Sequence, residues 1–357
     1  MSVLVTGGCG FIGANFILDF AGPEKVLNID LLTYAGNVEN LRGLSGDSHR
    51  LIVGDIGDAE LVASVFESER PRAVVHFAAE SHVDRSVLGP GAFVRTNVLG
   101  TFVLLEEARK HHASLRGAER DAFRFLMVST DEVYGSLGPD DPPFTEKSPY
   151  RPNSPYSASK AGADHLGRAY FKTYGLPVMI SNCSNNYGPF QYPEKFIPLT
   201  ILNSLALKPL PLYGDGRQIR DWLHVADHAR ALKLILREGK PGETYNIGGN
   251  GEMENIEVAR AVTGLLDAKR PRKDGGSHGD LIAFAKDRPG HDRRYAVDSS
   301  KIERELGFRR HKNFRAGLEE TVDWYLANPE WVESVKTREY RDWMRTQYGD
   351  DDGKSPA

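Results

Sequence analysis

The sequence predicts an α/β protein built on a doubly wound parallel sheet, with a smaller α/β lobe at the C-terminal end. Short apolar runs alternate with longer amphipathic segments across the first half of the chain. The runs are almost continuously apolar, which is typical of strands that helices cover on both faces. After about residue 185 the alternation weakens, and turns rich in proline and glycine separate short helices from short strands.

The alternation gives each element a position in the chain. The predicted strands lie at 2–6, 25–30, 51–54, 73–78, 123–129 and 177–184, and the predicted helices at 11–20, 59–68, 92–112 and 157–174. This order gives parallel strands joined by right-handed crossovers. We expect one domain at 1–185 that some later segments rejoin, a lobe at 186–330, and an extension at 331–357 whose charged end is disordered.

The composition is that of an ordinary globular protein. Of its 357 residues, 40% are apolar and 26% are charged, and the net charge is −4, so it has no general attraction to nucleic acid or to acidic membranes. Its two cysteines, Cys9 and Cys183, cannot form a disulfide framework, and no cluster of cysteine and histidine has metal-site spacing. Without a secretory signal or an apolar run near the roughly 20 residues that cross a bilayer, we expect a cytoplasmic protein in a reducing compartment.

A glycine-rich turn joins the first predicted strand to the first predicted helix. In "VLVTGGCGFIGANF", Gly8, Gly10 and Gly13 have the spacing Gly-x-Gly-x-x-Gly, and Gly7 extends it. Glycines let the backbone turn tightly and approach a pyrophosphate, which sits at the N-terminus of the helix. Because the motif lies between a strand and an amphipathic helix, it predicts a Rossmann-type dinucleotide site rather than a simple tight turn.

The ends of the next strands indicate which dinucleotide is bound. Asp30 ends the second strand, 17 residues after Gly13. A carboxylate there accepts hydrogen bonds from an adenosine ribose and repels a 2′-phosphate, so we expect NAD rather than NADP. Asp55 after the third strand either contacts the adenine or caps the following helix. Small residues in "FAAESHVD" would admit a cofactor closely, and Thr96 and Asn97 either contact it or fill a polar packing niche.

A tyrosine and a lysine share one face of a later helix. "SPYSASKAGADHL" places Tyr156 and Lys160 four residues apart. Free tyrosine has a pKa near 10, but a lysine ammonium and an oxidised nicotinamide would both lower that pKa by stabilising the phenolate. The phenolate could then take a hydroxyl proton while hydride leaves the same carbon. Alone the pair is as readily a surface feature, but behind a dinucleotide motif it predicts a catalytic base.

Three short motifs carry a family resemblance. Together, "TGGCGFIG", "DEVYG" and "YSASK" resemble the extended short-chain dehydrogenase/reductase family, whose members act on nucleotide sugars. The resemblance extends from residue 2 to about residue 330. It implies an NAD-binding Rossmann domain at 1–185 and a nucleotide-sugar-binding lobe at 186–330. It also implies that Thr130 joins Tyr156 and Lys160 and holds the C4 hydroxyl of the sugar.

Two adjacent carboxylates, Asp131 and Glu132, follow Thr130. Family epimerases have small or neutral residues there, and decarboxylases and GDP-mannose dehydratases usually read Ser-Glu. Asp-Glu resembles the dehydratases of the family that act on dTDP-glucose, which implies Glu132 as the base at C5 and Asp131 as the acid at C6. Repulsion between neighbouring carboxyls separates their pKa values and leaves one protonated. From the residues alone, a helix N-cap followed by a first-turn charge remains open.

The implied activity is that of an NAD-dependent nucleotide-sugar 4,6-dehydratase, a lyase of deoxysugar biosynthesis. It would oxidise dTDP-glucose at C4, eliminate water across C5 and C6, and return hydride to C6. Another nucleotide-sugar enzyme of the family, a 4-epimerase or a decarboxylase, is the alternative. A nucleotide-binding protein without enzymatic activity is a third possibility, against which the intact Thr130, Tyr156 and Lys160 argue.

The resemblance also implies contact residues and an assembly. The cofactor contacts are Gly7, Gly10, Phe11, Ile12, Gly13, Asp30, Asp55, Ile56, Phe77, Ala78, Ala79, Ser81, Thr96, Tyr156, Lys160 and Asn186. The substrate contacts are Ser81, Thr130, Asn185, Glu194, Lys195, Pro211, Leu212, Tyr213, Arg220, Asn255, Asp287, Arg288 and His291. No metal is expected. The long helices at 92–112 and 157–174 imply a homodimer joined by a four-helix bundle.

Overall fold

The strands come first in the description because they set the position of every site residue. The computed structural model describes residues 2–22, 24–44, 46–287, 291–337 and 344. Its strands are β1 (Ser2–Thr6), β2 (Lys25–Asp30), β3 (His49–Val53), β4 (Ala73–His76), β5 (Arg124–Thr130), β6 (Val178–Cys183), β7 (Asn185–Tyr187), β8 (Leu210–Tyr213), β9 (Ile219–His224), β10 (Thr244–Ile247), β11 (Glu252–Glu254) and β12 (Ile282–Ala285).

The helices alternate with the strands through the first half of the chain. They are α1 (Phe11–Phe20), α2 (Ala59–Glu69), α3 (Val83–Leu88), α4 (Pro90–Phe93), α5 (Thr101–Ser114), α6 (Gly117–Ala122), α7 (Pro155–Tyr174), α8 (Phe196–Leu205), α9 (Val225–Glu238), α10 (Asn255–Lys269), α11 (Ser300–Leu306), α12 (Phe314–Ala327) and α13 (Pro329–Val335). A π-helix, Val94–Gly100, links α4 to α5, and 3₁₀ helices lie at Val38–Leu41, Asp131–Tyr134 and His278–Leu281. None of these helices has the length and apolarity that crossing a bilayer requires.

Seven parallel strands form the central sheet in the order β3-β2-β1-β4-β5-β6-β10. The chain starts in the middle at β1, continues outward through β2 and β3, and then returns to place β4 on the other side of β1. This confirms the predicted doubly wound sheet. The reversal of strand order opens a crevice at the carboxyl ends of β1 and β4, where folds of this kind bind ligands.

The predicted strands all form, although several of their ends differ. β3 begins at His49 rather than at residue 51, because His49 already pairs with Val26 of β2. The strand β10 was not predicted, since four residues between two turns give a weak apolar signal. It nevertheless joins the central sheet by pairing with β6. The helix predicted at 92–112 occupies residues 90–114, but the π-helix interrupts its α-helical pattern.

Two apolar layers cover the faces of the sheet. Side chains alternate along β1, so Val3 and Val5 pack with α1 and α9 on one face, whereas Leu4 packs with α2 and α5 on the other. All three are fully buried. Burial on both faces explains why the strands read as continuous apolar runs in the sequence.

The second half of the chain forms two smaller sheets. β11, β9 and β7 form one sheet, and β12 pairs with β8 in another. A separate apolar cluster holds the β11-β9-β7 sheet against α8, α10 and α12, with Trp222 and Val322 inside it. The extension predicted at 331–357 begins within α13, where Trp331 is buried and donates its indole N–H to Asn40 (2.6 Å). The end predicted to be disordered lies outside the described residues.

Two glycines predict opposite effects of the same substitution on stability. A Cβ on Gly249 would lie 1.9 Å from the carbonyl oxygen of Trp222, whereas a Cβ on Gly264 meets no described atom within 4 Å. Gly249→Ala should therefore lower the free energy of unfolding by about 1–3 kcal/mol. Gly264→Ala, on the exposed side of α10, should raise it by about 0.5–1 kcal/mol, because alanine is the better helix former. Urea titration of both variants measures these changes, and equal effects would contradict the packing at Gly249.

Candidate active site

One cavity runs along the carboxyl edge of the central sheet. Every residue predicted to contact the cofactor, from Gly7 to Asn186, lines its wall. The predicted catalytic residues line it too, as do four predicted substrate contacts outside the catalytic set: Ser81, Asn185, Glu194 and Lys195. The structure therefore brings the dinucleotide motif and the candidate catalytic groups into a single site. No cluster of metal-ligating side chains occurs in the part of the chain that the structure describes.

The glycine turn is packed too closely for side chains. Gly7 has a φ of +72°, and a Cβ there would lie 2.6 Å from the backbone nitrogen of Ala78. A Cβ on Gly13 would lie 2.4 Å from the carbonyl oxygen of Gly7. Gly10 is the N-cap of α1 and supplies no side-chain cap, so backbone N–H groups of the first turn are left for a ligand. These N–H groups at a cavity wall fit the pyrophosphate of a dinucleotide.

Asp30 is fixed at the end of β2 by two backbone N–H groups. Its Oδ2 accepts a hydrogen bond from Cys9 (2.8 Å), and its Oδ1 accepts one from Leu32 (2.8 Å). Burial raises its pKa, and these two hydrogen bonds oppose the increase. Each carboxylate oxygen can accept a further bond. The position of Asp30 fits recognition of the adenosine ribose of NAD.

The structure distinguishes between the alternatives for Asp55, Thr96 and Asn97. Asp55 does not cap α2, because the N-cap is Asp58, whose carboxylate accepts from two N–H groups of the first turn. Asp55 lines the cavity instead. Thr96 also lines it, whereas Asn97 is buried and bonds to both backbone groups of Glu80, which makes Asn97 a packing residue.

Thr130 caps the 3₁₀ helix that carries the acid pair. Its Oγ1 accepts a hydrogen bond from the N–H of Glu132 (3.2 Å), so the alternative in which Asp131 is the N-cap is wrong. Asp131 is 2% exposed. Burial, and then the charges of Glu132 and Asp221, raise the pKa of Asp131 well above its ordinary value of 3.8. Burial therefore favours the protonated form of Asp131.

Tyr156 and Lys160 are buried side by side on α7. Lys160 Nζ donates a hydrogen bond to the carbonyl oxygen of Val128 (2.9 Å), and the hydroxyl of Tyr156 is hydrogen-bonded to Thr130. Burial and the charge of Glu132 raise the pKa of Tyr156 well above 10. Desolvation of the phenolate is the largest cause of this increase, and the lowering of the pKa that we expect from the Lys160 ammonium together with an oxidised nicotinamide stays a prediction.

A buried network beneath Lys160 was missed at the sequence level. Asp164, one turn after Lys160, accepts hydrogen bonds from Ser129 Oγ (2.7 Å) and Tyr150 Oη (3.1 Å). Burial raises the pKa of Asp164 to about 6, although Lys160 lowers it. The four-residue spacing of Lys160 and Asp164 could have signalled this pair, whereas the contact with Tyr150 depends on the fold.

The two asparagines after β6 differ in their surroundings. Asn186 is held by His228, whose Nδ1 lies 2.9 Å from Asn186 Oδ1, and its amide N–H donates to Ser184. Asn185 Oδ1 is buried and has no hydrogen-bond partner among the described residues. An amide oxygen in this condition on a cavity wall fits contact with a ligand donor.

The remaining predicted substrate residues lie outside this cavity. Tyr213 and Asp287 both contact His291: the two rings are 6.0 Å apart between centroids, and the Asp287 carboxylate is 2.6 Å from His291 Nδ1. Pro211 and Leu212 belong to β8 beside Tyr213. Asn255 begins α10, and the buried guanidinium of Arg220 donates to backbone carbonyl oxygens, including that of Asp292 (2.9 Å). Arg288 lies outside the described residues.

The comparisons with known proteins agree on one family. A family model described as GDP-mannose 4,6 dehydratase matches residues 4–321. A dTDP-glucose 4,6-dehydratase of Xanthomonas campestris pv. campestris (strain B100) is 56% identical over 340 residues, covering 95% of this chain and 97% of that protein. The dTDP-glucose 4,6-dehydratase 1 of Escherichia coli (strain K12) is 51% identical and covers 98% of this chain and 99% of its own. The chain belongs to the dTDP-glucose 4,6-dehydratase family.

A solved structure of the dTDP-glucose 4,6-dehydratase family has the same fold. The enzyme of Streptomyces venezuelae, crystallised with NAD and TYD bound, is 46% identical to this chain with a TM-score of 0.84. The match covers 94% of this chain and all of the other. The family resemblance and the fold predicted from the sequence are both confirmed.

Because Asp131 is buried, we predict that its replacement by asparagine raises stability and lowers activity. Its pKa is higher in the folded state than in the unfolded state, so the native protein loses stability as pH rises from about 3.8 through the folded pKa. Asparagine cannot ionise, so Asp131→Asn should unfold with a free energy at least about 1 kcal/mol higher than the native protein at pH 8, with little difference at pH 4. Its activity should fall, because the proton donor is absent.

The matched control is Asp140→Asn, which removes an exposed carboxylate and should change the free energy of unfolding by less than about 0.5 kcal/mol. Denaturant titrations at the two pH values measure both variants. An Asp131→Asn variant that loses as much stability between pH 4 and pH 8 as the native protein does would show that the pKa of Asp131 is not raised in the folded protein.

Proposed function

We propose that this chain catalyses the 4,6-dehydration of dTDP-glucose to dTDP-4-keto-6-deoxyglucose and water, with NAD as its resident cofactor. One observation carries the proposal: a buried carboxyl whose pKa is raised, Asp131, and a second carboxyl, Glu132, line the same cavity as Tyr156. An elimination of water requires an acid and a base that act at neighbouring carbons of the sugar, and this pair of carboxyls supplies both.

The cavity has the features that bind NAD. The N–H groups at the start of α1 would hold the pyrophosphate, Asp30 would accept hydrogen bonds from the adenosine ribose, and Asp55, which also lines the cavity, would contact the adenine. NAD, when bound, supplies the acceptor for hydride from C4 and the donor of hydride to C6, and its positive ring favours a nearby phenolate.

Tyr156 is the base for the C4 hydroxyl. Its hydroxyl is already hydrogen-bonded to Thr130, so both side chains can hold the C4 oxygen of the sugar. The ammonium of Lys160 is buried close by and stabilises the phenolate that forms when Tyr156 has lost its proton. Removal of this proton allows the C4 ketone to form.

The acid pair acts after the ketone has acidified the proton at C5. Glu132 takes that proton, and Asp131 donates its own to the C6 hydroxyl, which leaves as water. When hydride returns to C6, the protonated Glu132 returns a proton to C5, which completes the product. Burial supports these roles, because Asp131 is buried and its pKa is raised, whereas Glu132 is half-buried. A 4-epimerase requires no elimination, so the acid pair argues against that alternative.

The second group of residues binds the nucleotide diphosphate. Tyr213 and the apolar face of β8 offer a wall for the base, and Asp287 and His291 lie beside it. Three further predicted substrate contacts, Asn185, Glu194 and Lys195, line the catalytic cavity from the second half of the chain. A cytoplasmic location remains a prediction.

The proposal predicts different defects for two conservative variants. The native protein should convert dTDP-glucose to the 4-keto-6-deoxy product without added reductant, as mass spectrometry would show. Tyr156→Phe should abolish the oxidation of C4, so that no absorbance of reduced cofactor develops. Glu132→Gln should still oxidise C4 but slow the uptake of solvent deuterium at C5 by about 100- to 10,000-fold. Unchanged turnover in Glu132→Gln would remove its role as base.

We also propose that two copies of the chain associate through the π-helix and α5. Val94, Leu99 and Phe102 expose 50%, 54% and 44% of their surfaces along this segment, which is unusual for three neighbouring apolar side chains on one helix. Such a stripe supports the helix-bundle dimer that the family resemblance implies.

Leu99→Glu should convert the dimer to a monomer, because it places a charge inside an apolar interface. Light scattering after gel filtration measures the mass. Leu207→Glu is the matched control, since Leu207 is 52% exposed but lies in the turn after α8, and it should leave the mass unchanged. A native protein that is already monomeric would contradict the proposed assembly.

A further inference from the structure

The loop after β2 forms part of the cavity wall and is anchored at both ends. Leu32 N–H donates to Asp30 at its start, and Asn37 N–H donates to the carbonyl oxygen of Cys9 (3.0 Å) at its end. Between these anchors, Tyr34 extends toward α3 and the loop around residue 192. The position of this loop over the cavity therefore depends on what Tyr34 contacts.

Arg85 of α3 holds Tyr34 in place. Its guanidinium carbon lies 3.7 Å from the centroid of the Tyr34 ring, within the range of a strong cation–π contact. Tyr192 meets the same ring edge-on, with the centroids 5.5 Å apart. Tyr34 is thus enclosed by two segments that come from different parts of the chain, and Tyr34 and Tyr192 both line the cavity.

The same guanidinium pairs with a buried carboxylate. Arg85 Nη2 and Nε lie 3.1 and 3.4 Å from Glu194 Oε2. The side chain of Glu194 is 1% exposed, and burial raises its pKa while Arg85 and Lys195 lower it. Glu194 follows Tyr192 by two residues, so the pair connects α3 to the segment that the proposed function assigns to the nucleotide sugar. Arg85 therefore contacts two residues of the cavity wall, Tyr34 in the loop after β2 and Glu194 in the later segment.

We propose that Arg85 and Tyr34 form a latch that retains the dinucleotide. Bound substrate tightens this latch through Glu194. The inference rests on the proposed function, in which the hydride taken from C4 returns to C6 of the same sugar. A cofactor that left between these steps would strand the oxidised sugar, so the reaction needs slow cofactor release. Arg85 acts through Tyr34 and Glu194 and is a positioning residue rather than a catalytic one.

The test measures the release of NAD directly. Protein loaded with radiolabelled NAD is diluted into excess unlabelled NAD, and the label that stays with the protein is followed over time. Tyr34→Leu removes the aromatic face, and Arg85→Lys keeps the charge beside Glu194 but loses the planar group that stacks. Both variants should release NAD about tenfold faster, equivalent to about 1.4 kcal/mol. Tyr34→Phe keeps the ring and should release NAD within twofold of the native rate.

A second measurement separates a latch from a general loosening of the fold. Addition of dTDP should slow NAD release from the native protein by at least about threefold, and this effect should be lost in Arg85→Lys, because the connection through Glu194 is changed. Native-like thermal unfolding of Tyr34→Leu would show that the faster release is local. Unchanged release in both variants, or an equal effect of dTDP on native protein and Arg85→Lys, would overturn the latch.

The same experiment distinguishes this inference from the proposed function. A native protein that binds no NAD, or that binds NAD and leaves dTDP-glucose unchanged, contradicts the proposed function itself. A native protein that makes the 4-keto-6-deoxy product while its variants release NAD at the native rate contradicts only the latch.

Discussion

Lys160 keeps an ammonium buried beneath the carboxyl edge of the sheet, with Nζ bonded to the carbonyl oxygen of Val128 at 2.9 Å. A buried cation is costly unless its surroundings compensate it, and burial does lower the pKa of Lys160. Asp164 supplies the opposing charge one helical turn away, and it also accepts from Ser129 at the end of β5. The same contacts that keep the lysine charged therefore fix α7 against β5, where the catalytic residues begin. This single charge connects the packing of the core to the chemistry of the site.

Burial also affects the acid pair, but it raises the pKa of Asp131, whereas it lowers the pKa of Lys160. Thr130 ends β5 and caps the short helix, which directs Asp131 inward while Glu132 remains half-buried. Desolvation then gives two chemically similar groups different tendencies to hold a proton. Tyr156 is affected as well, since burial alone makes its phenolate unfavourable. Burial therefore favours the protonated forms of both Asp131 and Tyr156, and the proposed role of Tyr156 as a base requires a positive charge nearby, such as that of an oxidised nicotinamide.

The sequence predicted most of the sheet because burial on both faces leaves uninterrupted apolar runs. It could place several cavity-lining residues, such as Asp30 and Thr130, because they lie at the ends of strands. The same reasoning failed where contacts join distant segments. Nothing local shows that Arg85 would lie over Tyr34, or that Asp164 would meet Tyr150. The strand β10 was not predicted for a related reason, because its four residues form a strand only by pairing with β6. The family resemblance supplied the substrate residues, and local patterns could not have supplied them.

The central claim is that one active site removes hydride from C4 and returns it to C6 of the same sugar, with the acid pair acting in between. dTDP-glucose carrying deuterium at C4 tests this most directly when the protein converts it in the presence of excess unlabelled NAD. The account predicts that the deuterium is found at C6 of the 4-keto-6-deoxy product, with little label in the free cofactor. Deuterium in the free cofactor pool, or returned to C4 in a sugar that keeps its C6 hydroxyl, would contradict it.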